Sequence, residues 1–207
     1  MTDPNYTALL LVIDRSGSMM SIRDDMVCGL TKMLAEQAKA PGLLTVDIFN
    51  FDNQVELQCS LADPKDVTIR LEPRAGTALY DALGIAVNAF GATLAALPEH
   101  ARPGAVQVMV VTDGEENSSR EYTSGAVRRL IARQTKKYNW DFVFLGANQN
   151  AVLNGAALGF HADKALTFVP EADQIAAMTG TLSRYVTDAR THKNRRFTSE
   201  ERKNAGA

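Results

Sequence analysis

The chain has 207 residues, of which 45% are hydrophobic and 22% are charged, and its formal net charge is -2. This composition is typical of a globular domain with a sizeable core, and the near-zero net charge argues against a strong nucleic-acid binder. Two cysteines, Cys28 and Cys59, are too few for a disulfide framework. The polar N-terminus lacks a signal-peptide pattern, and no apolar run approaches the ~20 residues that span a bilayer. We therefore expect a cytoplasmic protein.

Apolar strand-like runs alternate with helical patterns along the chain, which predicts an α/β domain with a mostly parallel sheet. A first strand at 8–14 is followed by a helix at 21–39. Strands at 44–51 and 54–58 flank an Asp52-Asn53 turn and form a predicted hairpin, which makes one edge strand antiparallel. A long connection at 60–76 follows. The remaining predicted elements are helices at 78–97, 124–138, 151–158 and 172–190 and strands at 106–113, 141–145 and 165–169.

The predicted domain covers residues 1–191 and is followed by a polar, basic segment over 192–207, which we expect to be a flexible tail. Within this tail, Thr198 and Glu201 have the spacing of a capping box and could begin a short helix. Its basic residues most simply form a solvated surface, and docking onto an acidic partner is the alternative. They are Arg190, Lys193, Arg195, Arg196, Arg202 and Lys203.

The first predicted strand ends in a motif that carries oxygen-bearing side chains at alternate positions. A run of apolar residues typical of a strand buried on both faces leads into Asp14, and Ser16 and Ser18 follow. Alternate residues of an extended chain point the same way, so these three side chains can converge. Three hard oxygen groups at one point indicate a site for Mg²⁺, Mn²⁺ or Ca²⁺.

Two further residues are candidates for the same site. Asp113 ends a second buried strand, and ligands of open parallel sheets bind at the carboxyl ends of strands where the winding reverses. If the two strands are neighbours, Asp14 and Asp113 face one crevice. Thr77 precedes a predicted helix, where it is either an N-cap residue or a third hydroxyl ligand.

The three elements together resemble the metal-ion-dependent adhesion site (MIDAS) of von Willebrand factor A (vWA) domains. They are Asp-x-Ser-x-Ser at 14–18, Gly-Thr at 76–77 and Thr-Asp-Gly at 112–114. The resemblance extends from about residue 7 to 190. It implies a Rossmann-like, doubly wound sheet with helices on both faces. The stretches 112–117 and 140–149 look similar to bacterial stand-alone proteins of this family.

Carried over to this chain, the resemblance assigns five metal ligands, which act directly or through water: Asp14, Ser16, Ser18, Thr77 and Asp113. Two carboxylates leave a divalent ion formally neutral, and an octahedral ion, most simply Mg²⁺, keeps a position for a foreign ligand. The family uses that position to bind a Glu or Asp side chain of a partner protein. The expected function is therefore a metal-dependent protein-binding module, without catalytic residues, nucleic acid or membrane.

Two alternatives compete with this interpretation. A strand-end Asp beside Mg²⁺ also occurs in haloacid-dehalogenase-type phosphatases, but these need a second Asp two residues later, where this chain has Ser16. No nucleophile–base pair or Walker-type phosphate loop is present either, which weighs against an enzyme. In the other alternative, the metal only stabilises the loops of a scaffold subunit.

Several residues near the motifs have both an ordinary and a functional interpretation. Glu115 and Glu116 most simply form a solvated loop, but they could also bind metal-bound water. Asp81 either complements the helix dipole or contacts the site. Met19 and Met20 lie next to the metal loop and could form an apolar, partner-facing rim. Asn148 and Gln149 are candidate rim contacts or an ordinary turn.

Overall fold

The computed structural model describes residues 2–147, 150–191, 193 and 195–206. The described residues form one six-stranded sheet with the order β3-β2-β1-β4-β5-β6. The strands β1, β2, β4, β5 and β6 pair in parallel, and β3 pairs with β2 antiparallel at the edge. The bounds are β1 (Asp3–Asp14), β2 (Leu43–Phe51), β3 (Val55–Ala62), β4 (Pro103–Thr112), β5 (Asp141–Ala147) and β6 (Ala165–Phe168). The predicted doubly wound α/β fold with one antiparallel edge strand is confirmed.

Helices cover both faces of this sheet, as the burial of the strands requires. Along β1, Leu9, Leu11 and Ile13 belong to one core and Leu10 and Val12 to the other. One face packs against α1 and α5, and the other packs against α2, α3 and α4. The helices are α1 (Arg23–Lys39), α2 (Leu79–Ala96), α3 (Ser124–Tyr138), α4 (Ala151–Leu158), α5 (Ala172–Arg190) and α6 (Ser199–Asn204).

Most predicted elements are present with small shifts at their ends. β1 begins at Asp3 rather than at residue 8, because the Asp3 amide bonds the Arg102 carbonyl and extends the pairing with β4. The helix predicted from residue 21 begins at Arg23, since a 3₁₀ segment, Gly17–Ile22, precedes it. Such shifts are ordinary, because helix and strand ends depend on tertiary contacts.

Helix α2 is long and apolar enough to satisfy a length-and-composition test for a membrane span. Its apolar residues have another role in this fold, however. Leu83, Val87 and Phe90 are buried in the core on one face of the sheet. The apolar character of α2 is therefore that of a helix packed against a sheet.

The described part of the segment 192–207 packs onto the domain, where the composition predicts a flexible tail. Phe197 and Ala205 are buried, and the Val169 amide donates to the Ala205 carbonyl. The guanidinium of Arg184 pairs with Glu201, which also completes the predicted capping box with Thr198. Two apolar anchors and an ion pair thus hold this polar segment, a combination that composition alone does not reveal.

The basic residues of this segment divide into bound and exposed ones. Arg190 donates to the carbonyls of Ala40, Pro41 and Gly42 at the end of α1, and Arg195 pairs with the buried carboxylate of Asp141. Arg202 donates to two carbonyls beside β6. Only part of the predicted basic surface is therefore solvated, and the exposed residues are Lys193, Arg196 and Lys203.

Candidate metal centre

The loop after β1 brings its alternate polar side chains together, as the sequence predicts. Asp14 is the last residue of β1 and is fully buried, and the Ser16 amide donates to its Oδ1 at 2.7 Å. The hydroxyls of Ser16 and Ser18 lie 3.0 Å apart. The Ser18 hydroxyl in turn donates to Asp113 Oδ1 at 2.7 Å. One loop thus connects the two carboxylates.

The two carboxylates lie at the switch point of the sheet. β1 pairs with β2 on one side and with β4 on the other, and Ile13 lies opposite Val111. Asp14 therefore ends the central strand, and Asp113 follows its neighbour. This is the position where ligands bind in doubly wound sheets.

Thr77 lies in the same crevice. A Cβ built on Gly114 would lie 2.6 Å from Thr77 Oγ1 and 3.5 Å from Asp14 Oδ2, so these three residues are close neighbours. Only a residue without a side chain permits this approach of the loops. The alternative role of Thr77 as a helix cap is wrong, because α2 has Ala78 at its N-cap position and no side chain caps it there.

The electrostatics of the crevice fit a cation. Burial raises the pKa of Asp14 to about 6, against hydrogen bonds from Thr112 and Ser16, and the charge of Asp113 raises it further. Burial also raises the pKa of Asp113. The guanidinium of the adjacent Arg15 pairs with two other carboxylates instead. The crevice therefore concentrates negative charge that no salt bridge of the described residues balances.

The donor set of the crevice is mixed. Among the described residues, no three His, Cys, Asp or Glu side chains come together as a metal-binding group. Two carboxylates and three hydroxyls are instead the available donors, and all five are hard oxygen ligands of the kind that Mg²⁺ and Ca²⁺ prefer. The set fits a hard divalent cation, although metal ligation by these five residues stays a prediction.

Thr112 is a supporting residue that the sequence interpretation did not assign a role of its own. Its hydroxyl donates to Asp14 Oδ2 at 2.5 Å, while the Ser16 amide holds the other carboxylate oxygen. Both Asp14 oxygens are thus oriented. Its place beside Asp113 at the end of a buried strand could have indicated a role at the site. The role itself could not be predicted, because its partner Asp14 is 98 residues away in the chain.

Asn117 and Glu116 fix the loop that carries Thr77. The Asn117 side chain accepts from the Thr77 amide at 2.9 Å, and the Thr77 carbonyl accepts from the Asn117 amide at 3.0 Å. Glu116 accepts from the Tyr80 amide in the first turn of α2 and from the Ser119 amide. Glu116 therefore holds loops together, whereas Glu115 is exposed as predicted.

Asp81 has a positioning role rather than a direct contact with the crevice. It is buried, and its carboxylate accepts from the backbone amides of Arg120, Glu121 and Tyr122. It thereby anchors the end of the loop that follows Asp113. The expected dipole interaction is compatible with this geometry, since Asp81 lies in the first turn of α2.

The predicted apolar rim divides between its two members. Met19 is fully buried in the core, whereas Met20 is 59% exposed beside the loop of Ser16 and Ser18. Met20 alone is available as a rim contact. Asn148 and Gln149 lie outside the described residues.

Comparisons with known proteins identify the fold. No protein-family model and no curated protein matches the chain. Among solved structures, a von Willebrand factor type A protein from Catenulispora acidiphila is 18% identical with a TM-score of 0.56, and the match covers 86% of this chain and 42% of that one. The vWF domain of the type V pili tip protein Mfa5 from Porphyromonas gingivalis is 10% identical with a TM-score of 0.62. This match covers 94% of this chain and 98% of the Mfa5 domain.

A third similar structure has a metal in its adhesion site. Proximal thread matrix protein 1 from the mussel byssus, with a zinc-occupied MIDAS motif, is 14% identical with a TM-score of 0.60. The match covers 87% of this chain and 46% of that one, so this chain spans less than half the length of the mussel and Catenulispora proteins. At these identities the likeness concerns the fold, and this chain has the fold of a von Willebrand factor A domain.

Proposed function

We propose that this protein is a metal-dependent protein-binding module. The observation that carries the proposal is the crevice at the carboxyl ends of β1 and β4. Among the described residues, Asp14 and Asp113 have no salt-bridge partner there, and Ser16, Ser18 and Thr77 surround them. These five side chains would hold the cation.

The chemistry of the donors favours Mg²⁺, with Mn²⁺ and Ca²⁺ as alternatives. Two carboxylates balance the charge of a divalent ion, and hydroxyls add no charge. When bound, the ion supplies a Lewis-acidic position for a carboxylate from outside. Structural zinc sites use mainly Cys and His, so the all-oxygen donor set favours a hard cation, while the zinc in the MIDAS motif of the mussel protein makes Zn²⁺ a further ion to test.

We propose a partner protein that offers a Glu or Asp side chain to the metal. The crevice is accessible from the side of Ser18, which is exposed, and the exposed Met20 adds an apolar contact next to it. Such a combination gives a partner one charged anchor within a partly apolar surface. We place the protein in the bacterial cytoplasm, in line with its free thiols Cys28 and Cys59.

A binding role is favoured over catalysis by the surroundings of the crevice. The residue two positions after Asp14 is Ser16, which cannot act as a general acid or base at neutral pH. His100 precedes β4 and His161 precedes β6, so both lie toward the opposite edge of the sheet. Among the described residues, the crevice thus has carboxylates and hydroxyls but no histidine to activate a nucleophile.

Calorimetry on metal-stripped protein tests the proposal. We expect one site for Mg²⁺ in the wild-type protein and no binding in Asp14→Ala, with unchanged far-UV circular dichroism in the variant. Asp47→Asn is the matched control, because Asp47 is a buried carboxylate of β2 that bonds Ser60 and Leu61 and has no part in the crevice. No binding of Mg²⁺, Mn²⁺ or Ca²⁺ would reject the metal site.

A metal-dependent pull-down then tests the binding role. We expect proteins retained with Mg²⁺ to be released by a chelator and to be absent with Thr77→Ala. A partner retained equally by the metal-stripped protein would instead support a scaffold in which the metal is structural.

A further inference from the structure

A second cleft lies at the amino-terminal end of the parallel strands, and the metal crevice lies at their carboxyl end. This second cleft has a volume of about 410 Å³ and separates the C-terminal parts of α2 and α3. Leu94 and Ala95 belong to α2, Gln134 and Tyr138 to α3, and Trp140 directly precedes β5. This volume lies in the range of pockets that hold small organic molecules.

The floor of this cleft is aromatic. Trp140 is 7% exposed, and its ring is fixed by an edge contact with Phe90 at 5.5 Å and a stacked contact with Phe142 at 6.3 Å. Leu94, Pro103 and Val106 add apolar surface to the walls. An aromatic ligand fits such a floor, because the exposed edge of a fixed indole can make an edge-to-face contact with it.

Gly91 leaves the indole accessible. It lies inside α2, where glycine is less favourable than alanine, and a Cβ there would meet Trp140 and Gln134 only at ordinary contact distances of 3.5 and 3.9 Å. Neither packing nor a positive φ therefore requires glycine at this position. What its missing side chain does produce is space beside the edge of the Trp140 ring.

The polar groups of the cleft select for charge. Arg102 and Arg133 line it, and among the described residues no carboxylate does. The Arg102 guanidinium already donates to the carbonyls of Leu97 and Ala95, so Arg133 is the main anion contact. Arg133 and Lys137 belong to an α3 surface that has five basic residues and no acidic one between Ser124 and Tyr138. Hydrogen bonds from Lys137, and then from Arg133, lower the pKa of Tyr138, which is consistent with a positive potential at this rim.

Gln134 adds an unsatisfied group. Its side chain is 8% exposed, and its Oε1 has no hydrogen-bond partner among the described residues. A buried carbonyl oxygen without a donor is unfavourable, so a ligand with an N–H group would stabilise it after a small rotation of the amide.

We propose that this cleft is a binding site for a small aromatic anion with an N–H donor. The aromatic group packs against the edge of Trp140 beside Gly91, the anionic group pairs with Arg133, and the N–H group is directed to Gln134. The site lies at the opposite end of the parallel strands from Asp14 and Asp113, and it is independent of the metal.

The sole tryptophan of the chain makes the proposal measurable. The probe is 8-anilinonaphthalene-1-sulfonate, which has aromatic rings, an N–H group and one sulfonate and which accepts excitation energy from indole. We expect saturable one-site quenching of Trp140 fluorescence. N-phenyl-1-naphthylamine, the same molecule without the sulfonate, should bind about tenfold more weakly, since it loses the charge-assisted bond to Arg133.

Two variants locate the probe. Arg133→Gln should weaken binding about tenfold, whereas Arg129→Gln, an exposed residue of the same helix outside the cleft, should leave it unchanged. Gly91→Leu should fill the space beside the edge of the ring and abolish quenching. If Gly91→Leu fails to fold, the Arg133 and Arg129 pair decides alone.

The outcomes distinguish a specific binding site from non-specific hydrophobic binding of the probe. Saturable binding that depends on Arg133 and on the sulfonate supports the proposal. Unsaturable quenching, or equal binding by the Arg133→Gln and Arg129→Gln variants, overturns it. Asp14→Ala should bind the probe like the wild type. The test of this cleft therefore does not depend on whether the metal site exists.

Discussion

Two groups of carboxylates lie near the carboxyl end of the sheet, and only one of them is neutralised by basic side chains of the fold. Asp52 and Glu56 share two guanidiniums, because Arg15 and Arg74 each pair with both of them. Asp14 and Asp113 instead have hydroxyls and backbone amides around them. The adjacent residues Asp14 and Arg15 thus face two different electrostatic environments.

The pKa shifts follow this difference. The hydrogen bond and charge of Arg15 lower the pKa of Glu56 to about 2, whereas burial raises the pKa of Asp14 to about 6. Burial would also raise the pKa of Asp52, but hydrogen bonds from Arg74 and the Gln54 amide and the charge of Arg15 lower it overall. The charges of Asp52 and Glu56 are balanced by arginines of the fold, whereas those of Asp14 and Asp113 are suited to a cation from solution.

Arg15→Gln should have the largest effect on stability. It leaves the 2% exposed Asp52 without one of its two cations, and breaking a buried ion pair costs about 3–5 kcal/mol. Urea unfolding measures this free energy. Arg74→Gln is the matched control, because its side chain is 51% exposed and its loss should cost about 1 kcal/mol or less. Equal losses in both variants would contradict the distinction between buried and exposed partners.

Asp113→Asn should have the next largest effect, on metal affinity rather than on stability. The amide keeps the size of the side chain but removes one of two charges, so we expect at least about a hundredfold weaker Mg²⁺ binding by calorimetry. Urea unfolding without metal should change little, since no cation in the fold depends on Asp113. Unchanged affinity would remove Asp113 from the donor set.

Thr112→Val should weaken Mg²⁺ binding by about tenfold, because the hydroxyl that orients Asp14 is lost while both carboxylates stay. Calorimetry again gives the affinity. Thr112→Ser keeps the hydroxyl and should bind like the wild type. If the valine variant binds Mg²⁺ like the wild type, the Thr112 hydroxyl has no part in orienting Asp14 for the metal.

Glu56→Gln should have the smallest effect, and that effect should depend on pH. Because the folded-state pKa of Glu56 lies near 2 and its ordinary value is 4.5, ionised Glu56 stabilises the fold above about pH 4.5. This contribution is lost as pH falls from 4.5 through 2. Unfolding curves of wild type and variant should therefore differ at neutral pH and converge in acid, and a constant difference would contradict the Arg15–Glu56 pair.

The sequence was sufficient for the framework of the fold and for the convergence of the candidate ligands. The β1 run is buried on both faces, and Asp14, Ser16 and Ser18 meet as predicted, although Ser18 does so from a 3₁₀ segment and not from the extended chain that the prediction assumed. Asp113 joins them because parallel strands bring their carboxyl ends to one end of the sheet. Thr77 lies in the loop before α2, and it was the resemblance to vWA domains that assigned it to the same site.

The supporting contacts could not be predicted in the same way. Thr112 orients Asp14, Asn117 holds Thr77, and Glu116 bonds the start of α2, yet each acts across a long separation in sequence. The packing of Phe197 and Ala205 likewise depends on neighbours from other elements. Local patterns record which residues prefer a helix, a strand or a turn, whereas these contacts exist only after the elements have packed. The sequence alone thus determined the fold class and the candidate ligands, and only the tertiary structure decided which residues hold those ligands in place.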